Sequence, residues 1–192
     1  IDGQTGSGCF VGDCTGSEFL IAKAVTWAAD NGADVINMSL GSCVDANDCG
    51  GPSQTGTDAM EYAHQRGVVI IAAAGNESTS NKSYPAAYPY VIGVSATDTN
   101  DALASFSNFG DYIDFAAPGV GIQAPGSATD SIYCVANGTS VASPIVAGLA
   151  AVLIGQNPSR TPDEIVSLIQ STADDLDVAG WDKYFGYGRV NM

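Results

Sequence analysis

The sequence predicts an α/β protein with three layers, α/β/α, built on a mainly parallel sheet. Three observations carry that prediction. Short apolar runs at Val35–Met38 and at 68–73 each follow a helix-period segment, the rhythm of parallel strands with covering helices. The run 141–154 is long enough for a helix and apolar on every side, so it belongs in an interior and not on a surface. Gly, Pro and Asn clusters separate these runs at short intervals, leaving no internal domain boundary, so 1–192 reads as a single domain.

Taken in order, residues 1–16 are rich in Gly, Ser and Thr and read as loop, with a short extended edge at Gly6-Ser7-Gly8. Ser17 caps a helix that turns Leu20, Ile21, Ala24, Val25, Trp27 and Ala28 inward and stops at Asn31-Gly32. Val35–Met38 is a buried strand. A polar loop at 42–56 leads to a helix at 57–66 and a strand at 68–73. Turns around Tyr84-Pro85 and Tyr88-Pro89 precede a strand at 91–95, and 106–118 is extended and aromatic up to a Pro-Gly turn. Asn137-Gly138 turns the chain into the apolar helix, which Asn157-Pro158 ends. Thr161-Pro162-Asp163-Glu164 then starts another helix, with Ile165, Val166, Leu168 and Ile169 inward.

Composition narrows the partners. Twenty-one acids against six bases give a net charge of −15, which repels nucleic acid and anionic membranes. No unbroken apolar run reaches the roughly 18 residues of a membrane span. The five cysteines include two close pairs, Cys9 with Cys14 and Cys43 with Cys49, whose spacing allows two small disulfide loops in an oxidising, extracellular setting and leaves Cys134 unpaired. Neither pair has the two-residue gap of a zinc knuckle, and His64 is the one histidine. A chain opening at Ile1 reads as processed.

The chemistry concentrates at 138–144. Hydroxyls at the mouth of a buried helix sit among unpaired backbone N–H groups and partial positive charge, which favours Ser140 as a nucleophile; the alternative is that Thr139 and Ser140 only cap the helix. Asn76 follows the tight Gly75 at a strand exit, where its amide can face a developing negative charge or bond its own backbone. His64 precedes that strand, roughly 20 Å from its exit, and reads as a helix-surface residue.

Three stretches are similar, in order, to the subtilisin-like serine peptidases: 34–41 (DVINMSLG), 67–76 (GVVIIAAAGN) and 138–144 (GTSVASP), with Val141 where many members have Met. The similarity runs from about Gly6 to Asn191. It implies a serine endopeptidase with Ser140 as nucleophile, and Asn76 with the Ser140 N–H as oxyanion donors. It implies further that Ser39, Leu40 and Gly41 pair with a peptide or protein substrate or inhibitor, and that Ala73, Ala74 and Gly75 wall the main specificity pocket, with Glu77 at its rim. No cofactor is needed for the chemistry. A structural calcium would sit on the carbonyls of Ala86, Tyr88 and Val91 with the carboxylate of Asp114, next to a cis Tyr84-Pro85 bond. The family's orienting Asp and general-base His lie in motifs that this sequence lacks. The resemblance therefore implies a partial domain, the C-terminal portion of a catalytic domain, whose sheet is incomplete without an N-terminal segment that is separate or cleaved. The alternative is a non-catalytic shell used for binding or scaffolding.

Overall fold

The computed structural model describes residues 17–43, 47, 49–126 and 133–191. The elements run α1 (Glu18–Asp30), β1 (Val35–Met38), α2 (Gln54–Gln65), β2 (Val69–Ala73), β3 (Val91–Thr97), β4 (Phe115–Pro118), β5 (Ile122–Pro125), β6 (Tyr133–Ala136), α3 (Thr139–Gln156) and α4 (Pro162–Thr172). Strands β1 to β4 lie side by side in that order, all parallel, and β5 and β6 form a separate antiparallel pair.

Side-chain alternation along β2 shows how one strand serves two cores. Val69 and Ile71 face a cluster with Ile92, Val94, Phe115 and the α3 and α4 residues Val146, Ile165 and Ile169. Ile70 and Ala72 face a second cluster with Val25 and Ala29 of α1 and Met60 and Ala63 of α2. Both central strands are buried along their whole length, as a sheet covered on two sides requires. The architecture is thus the expected three-layer α/β/α.

Local signals account for most boundaries. Ser17 Oγ accepts from Leu20 N at the start of α1, and Thr161 and Glu164 form a reciprocal capping box on α4 with Pro162 in the first turn. Helix α2 begins at Gln54, three residues before the expected start, because Ser53 caps it by accepting from Gly56 N at 3.0 Å. Strand β3 continues to Thr97, past the expected end at Ser95. The expected inward face of α1 is right in part: Val25 is buried and Ile21 packs against the same cluster, but Ala22 and Ala29 complete the face, whereas Leu20 and Trp27 are 59% and 68% exposed. Ala22 and Ala29 let α1 lie close on α2, while Phe19, Leu20 and Trp27 turn outward.

Helix α3 corrects a second expectation, since its 18 residues at mean hydropathy 1.6 are long and apolar enough, by length and composition, to cross a membrane. Its packing against all four strands and α4 gives that composition a core role. At the far margin of the sheet the C-terminal segment runs beside β4: Ala116 N donates to Gly188 O and Val190 N to Ala116 O, both at 2.9 Å.

Candidate active site

Helix α3 starts where three strands of the parallel sheet end. Gly138, its cap, holds φ at 149° and donates its N–H to Gly119 O, just past β4, at 2.8 Å. No side chain caps the helix, so Thr139 and Ser140 are its first residues and not its caps. Thr139 is fully buried and works as a bracket: its Oγ1 accepts from Gly75 N at 3.1 Å and donates to Asn76 Oδ1 at 3.0 Å. Thr139 N also donates to Asn76 Oδ1, at 2.8 Å. A backbone N–H only donates, so this bond fixes which end of the Asn76 amide is oxygen and leaves Nδ2 as the outward group.

The amide of Asn76 and the N–H of Ser140 lie close together beside Gly138. A Cβ built on Gly138 would stand equally far, 3.7 Å, from Nδ2 and Oδ1 of Asn76, and 3.6 Å from Ser140 N. Val141 N is taken by Gly138 O and Thr139 N by Asn76, so among the described residues Ser140 N is the amide of that turn left without a protein acceptor. Two donors lying together at a helix N-terminus can stabilise an oxyanion. Ser140, half-buried beside them, carries the hydroxyl.

Ser39 enters at the exit of β1 in a role its sequence position did not reveal. Pro144 lies inside α3, four residues after Ser140, and has no N–H to give the Ser140 carbonyl. Ser39 Oγ supplies the missing donor at 2.8 Å, and also meets Ser143 Oγ at 3.2 Å. The nucleophile's backbone is thus tied to the sheet by a side chain in place of the helix ladder.

The other expected substrate residues are distributed as follows. Leu40 and Gly41 line a cavity of about 310 Å³ with Ile21, Met60, Tyr84 and Tyr88. Ala73 and Ala74 close β2 with their methyls buried, at 3% and 0% exposure, and Gly75, at φ 108°, is half-buried. Glu77, expected at a pocket rim, instead points its carboxylate back at Asn76 N (2.9 Å) and at Asn108 Nδ2 (2.7 Å).

His64 sits at the amino ends of the strands, away from Ser140, as expected. It is more engaged than a plain surface residue, stacked on Tyr90 with ring centroids 4.4 Å apart and 3.4 Å from Asp163 across the end of the sheet. Cys43 and Cys49 are joined, as expected. Cys134 is also disulfide-bonded, which corrects its reading as unpaired; Cys9 and Cys14 lie outside the described residues. The spacing of five cysteines could not settle that connectivity.

Asp114 accepts from Gly93 N at 2.8 Å, yet burial pushes its carboxyl up to about 6. The Ala86 carbonyl flanks the same glycine, 3.4 Å from where its Cβ would be, and the Tyr84-Pro85 bond is cis. Asp114 and the carbonyls of Ala86, Tyr88 and Val91 are the residues that would hold a hard cation such as calcium were one bound; of those carbonyls, Tyr88 O already accepts from Val91 N at 3.3 Å. Among the described residues no group of three His, Cys, Asp or Glu side chains could hold a metal by themselves.

Known proteins share this arrangement of sequence and fold. Residues 7–188 match the model of the subtilase family. The chain is 46% identical, over 89% of its length, to a thermophilic serine proteinase of Bacillus sp. (strain AK1), and 41% identical, over 93%, to subtilisin BL of Lederbergia lenta. It spans 39% and 62% of those two relatives. Its fold superposes on a solved psychrophilic protease (TM-score 0.81, 32% identity, 94% of this chain and 65% of that one). It also superposes on fervidolysin from Fervidobacterium pennivorans, a keratinolytic enzyme related to subtilisin (TM-score 0.78, 36% identity, 90% and 28%). With a family match over residues 7–188 and a serine at the helix mouth beside a strand-exit asparagine, the chain belongs to the subtilase family.

Proposed function

We propose that this chain is the nucleophile-bearing part of a serine endopeptidase that cleaves peptide bonds through an acyl-enzyme. The observation that carries the reading is that the Asn76 amide and the N–H of Ser140 lie together at the mouth of α3, with Asn76 Oδ1 taken by Thr139 so that Nδ2 is left to donate. Ser140 Oγ attacks the scissile carbonyl, its proton passes to a base, and the resulting oxyanion is held by the two N–H donors. Collapse of the tetrahedral species expels the amine, which takes the proton, and water then releases the acyl group. The substrate lies extended along Ser39, Leu40 and Gly41 and reaches toward Ala73, Ala74 and Gly75.

The base and its orienting carboxylate come from polypeptide outside these residues, because His64 is the one histidine and is committed to Asp163 and Tyr90. Two surfaces support more polypeptide around the described residues: Phe19, Leu20 and Trp27 of α1 stand 60%, 59% and 68% exposed, and β1 has, among the described residues, one neighbour in the sheet. Calcium at Asp114, acting on stability alone, and an extracellular setting complete the proposal.

The test is a fluorophosphonate probe applied to the protein in its natural assembly, with peptide mapping of the label and intact mass of every species present. Labelling confined to Ser140, abolished in Ser140→Ala, together with a second polypeptide or segment bearing His and Asp, is the expected result. An unlabelled Ser140 beside a normally labelled control peptidase would leave the chain a non-catalytic shell.

A further inference from the structure

Asn108 is a fully buried polar residue that the mechanism above leaves unused. It lies in the segment between β3 and β4 and grips the loop after β2 on both sides of Asn76. Its Oδ1 accepts from Glu77 N at 2.9 Å and Thr79 N at 3.1 Å. Its Nδ2 donates to Ala74 O at 3.2 Å and to Glu77 Oε2 at 2.7 Å, and its own N–H donates to Gly75 O at 3.0 Å. Glu77 Oε2 in turn accepts from Asn76 N at 2.9 Å. Every residue from Ala74 to Glu77 is therefore bonded to Asn108 directly or through the Glu77 carboxylate. Gly75 is what makes room: a Cβ there would stand 2.2 Å from Asn108 Nδ2 and 2.7 Å from Glu77 Oε2.

We propose that Asn108 and Glu77 are positioning residues that hold the oxyanion donor Asn76 in place, and that Glu77 acts by this inward contact and not as a charge presented to substrate. This rests on the peptidase reading given above. The Asn76 amide is located from two directions, by Thr139 on its Oδ1 and by Glu77 on its backbone N–H. Loss of the second frees the Asn76 N–H and lets the peptide between Asn76 and Glu77 shift, so that Nδ2 moves away from Ser140 N. A donor displaced by about 1 Å no longer serves a transition state, whereas ground-state binding along Ser39, Leu40 and Gly41 is untouched. A carboxamide at 77 keeps the contact, because its oxygen accepts from Asn76 N as the carboxylate does.

The experiment uses the natural assembly and peptide anilide substrates. Wild-type labelling of Ser140 by a fluorophosphonate is measured first; its absence overturns the peptidase reading and this inference together. With labelling present, Asn108→Ala and Glu77→Ala are expected to lower kcat at least 10-fold with KM within about 3-fold, and Glu77→Gln to recover most of that loss. Asn76→Ala, costing on the order of 100-fold in an otherwise wild-type enzyme, is expected to cost far less in the Glu77→Ala background. Should Asn108→Ala fail to fold, the Glu77 pair and the Asn76 cycle decide the matter, since Glu77 lies in a half-buried loop. An unchanged kcat in Glu77→Ala overturns the inference. So does a loss of equal size in Glu77→Ala and Glu77→Gln confined to substrates with a basic residue before the scissile bond, which would make Glu77 a specificity charge.

Discussion

Replacing Ser39 by Ala removes what is, among the described residues, the one side-chain donor to the carbonyl of Ser140, and Pro144 prevents the helix from supplying another. A partly buried carbonyl left without its partner costs about 1–3 kcal/mol, and we take ~2 kcal/mol for Ser39→Ala because Ser143 Oγ also loses its neighbour. The Pro144 ring is exposed, so Pro144→Ala is tolerated and restores a backbone N–H aimed at Ser140 O. In that background the same Ser39→Ala change should cost only ~1 kcal/mol, a coupling of about 1 kcal/mol between residues on different elements. Guanidinium unfolding of the wild type, both single variants and the double variant in their natural assembly measures the cycle. The rate of fluorophosphonate labelling should fall in Ser39→Ala and recover in the double variant. If Ser39→Ala costs the same with Pro or Ala at 144, within about 0.3 kcal/mol, the idea that Ser39 replaces the helix donor is wrong.

Two further outcomes are expected. Gly138→Ala sets a methyl between the two oxyanion donors and in a strained φ, so kcat for peptide hydrolysis should drop by at least 100-fold while the unfolding midpoint moves modestly; steady-state kinetics beside a melt check this, and retained turnover refutes the placement of the oxyanion. Asp114 titrates higher folded (about 6) than its ordinary 3.8, so the folded state holds the proton more tightly; the stability this gives is complete below pH ~4 and lost as pH rises through ~6. At ~1.4 kcal/mol per pH unit the loss is at most ~3 kcal/mol. Asp114→Asn keeps an acceptor for Gly93 N and should flatten that decline in denaturant melts run in chelator from pH 4 to 8; parallel pH profiles for the two proteins would contradict the burial argument.

Much of the fold was legible because the relevant physics is local. Ser17, Thr161 with Glu164, and the apolar run at β1 each announce an element boundary in the residues themselves. Ser140 and Asn76 were legible as a pair through the resemblance of their motifs to the family, with which a helix mouth and a strand exit at the carboxyl end of a parallel sheet agree. The inward face of α1 was legible only at Ile21 and Val25, since apolar size does not tell which side a neighbouring helix will occupy. Asn108 gives no signal at all: an asparagine in an aromatic segment looks like a turn residue until the chain brings it under a loop about thirty positions away. The Ser39 contact was hidden for the same reason, although Pro144 carried a clue, in that a proline inside a helix always leaves one carbonyl looking for a partner.

The strip of chain laid against β4 decides how this sheet can grow. Backbone groups of Ala116 are already spent on Gly188 and Val190, so that flank is sealed by the molecule's own tail. Any additional strand must zip on beside Val35–Met38, next to Ser39 and hence next to Ser140. Polypeptide recruited to widen the platform is delivered, by that one-sidedness, to the neighbourhood where a proton acceptor is wanted.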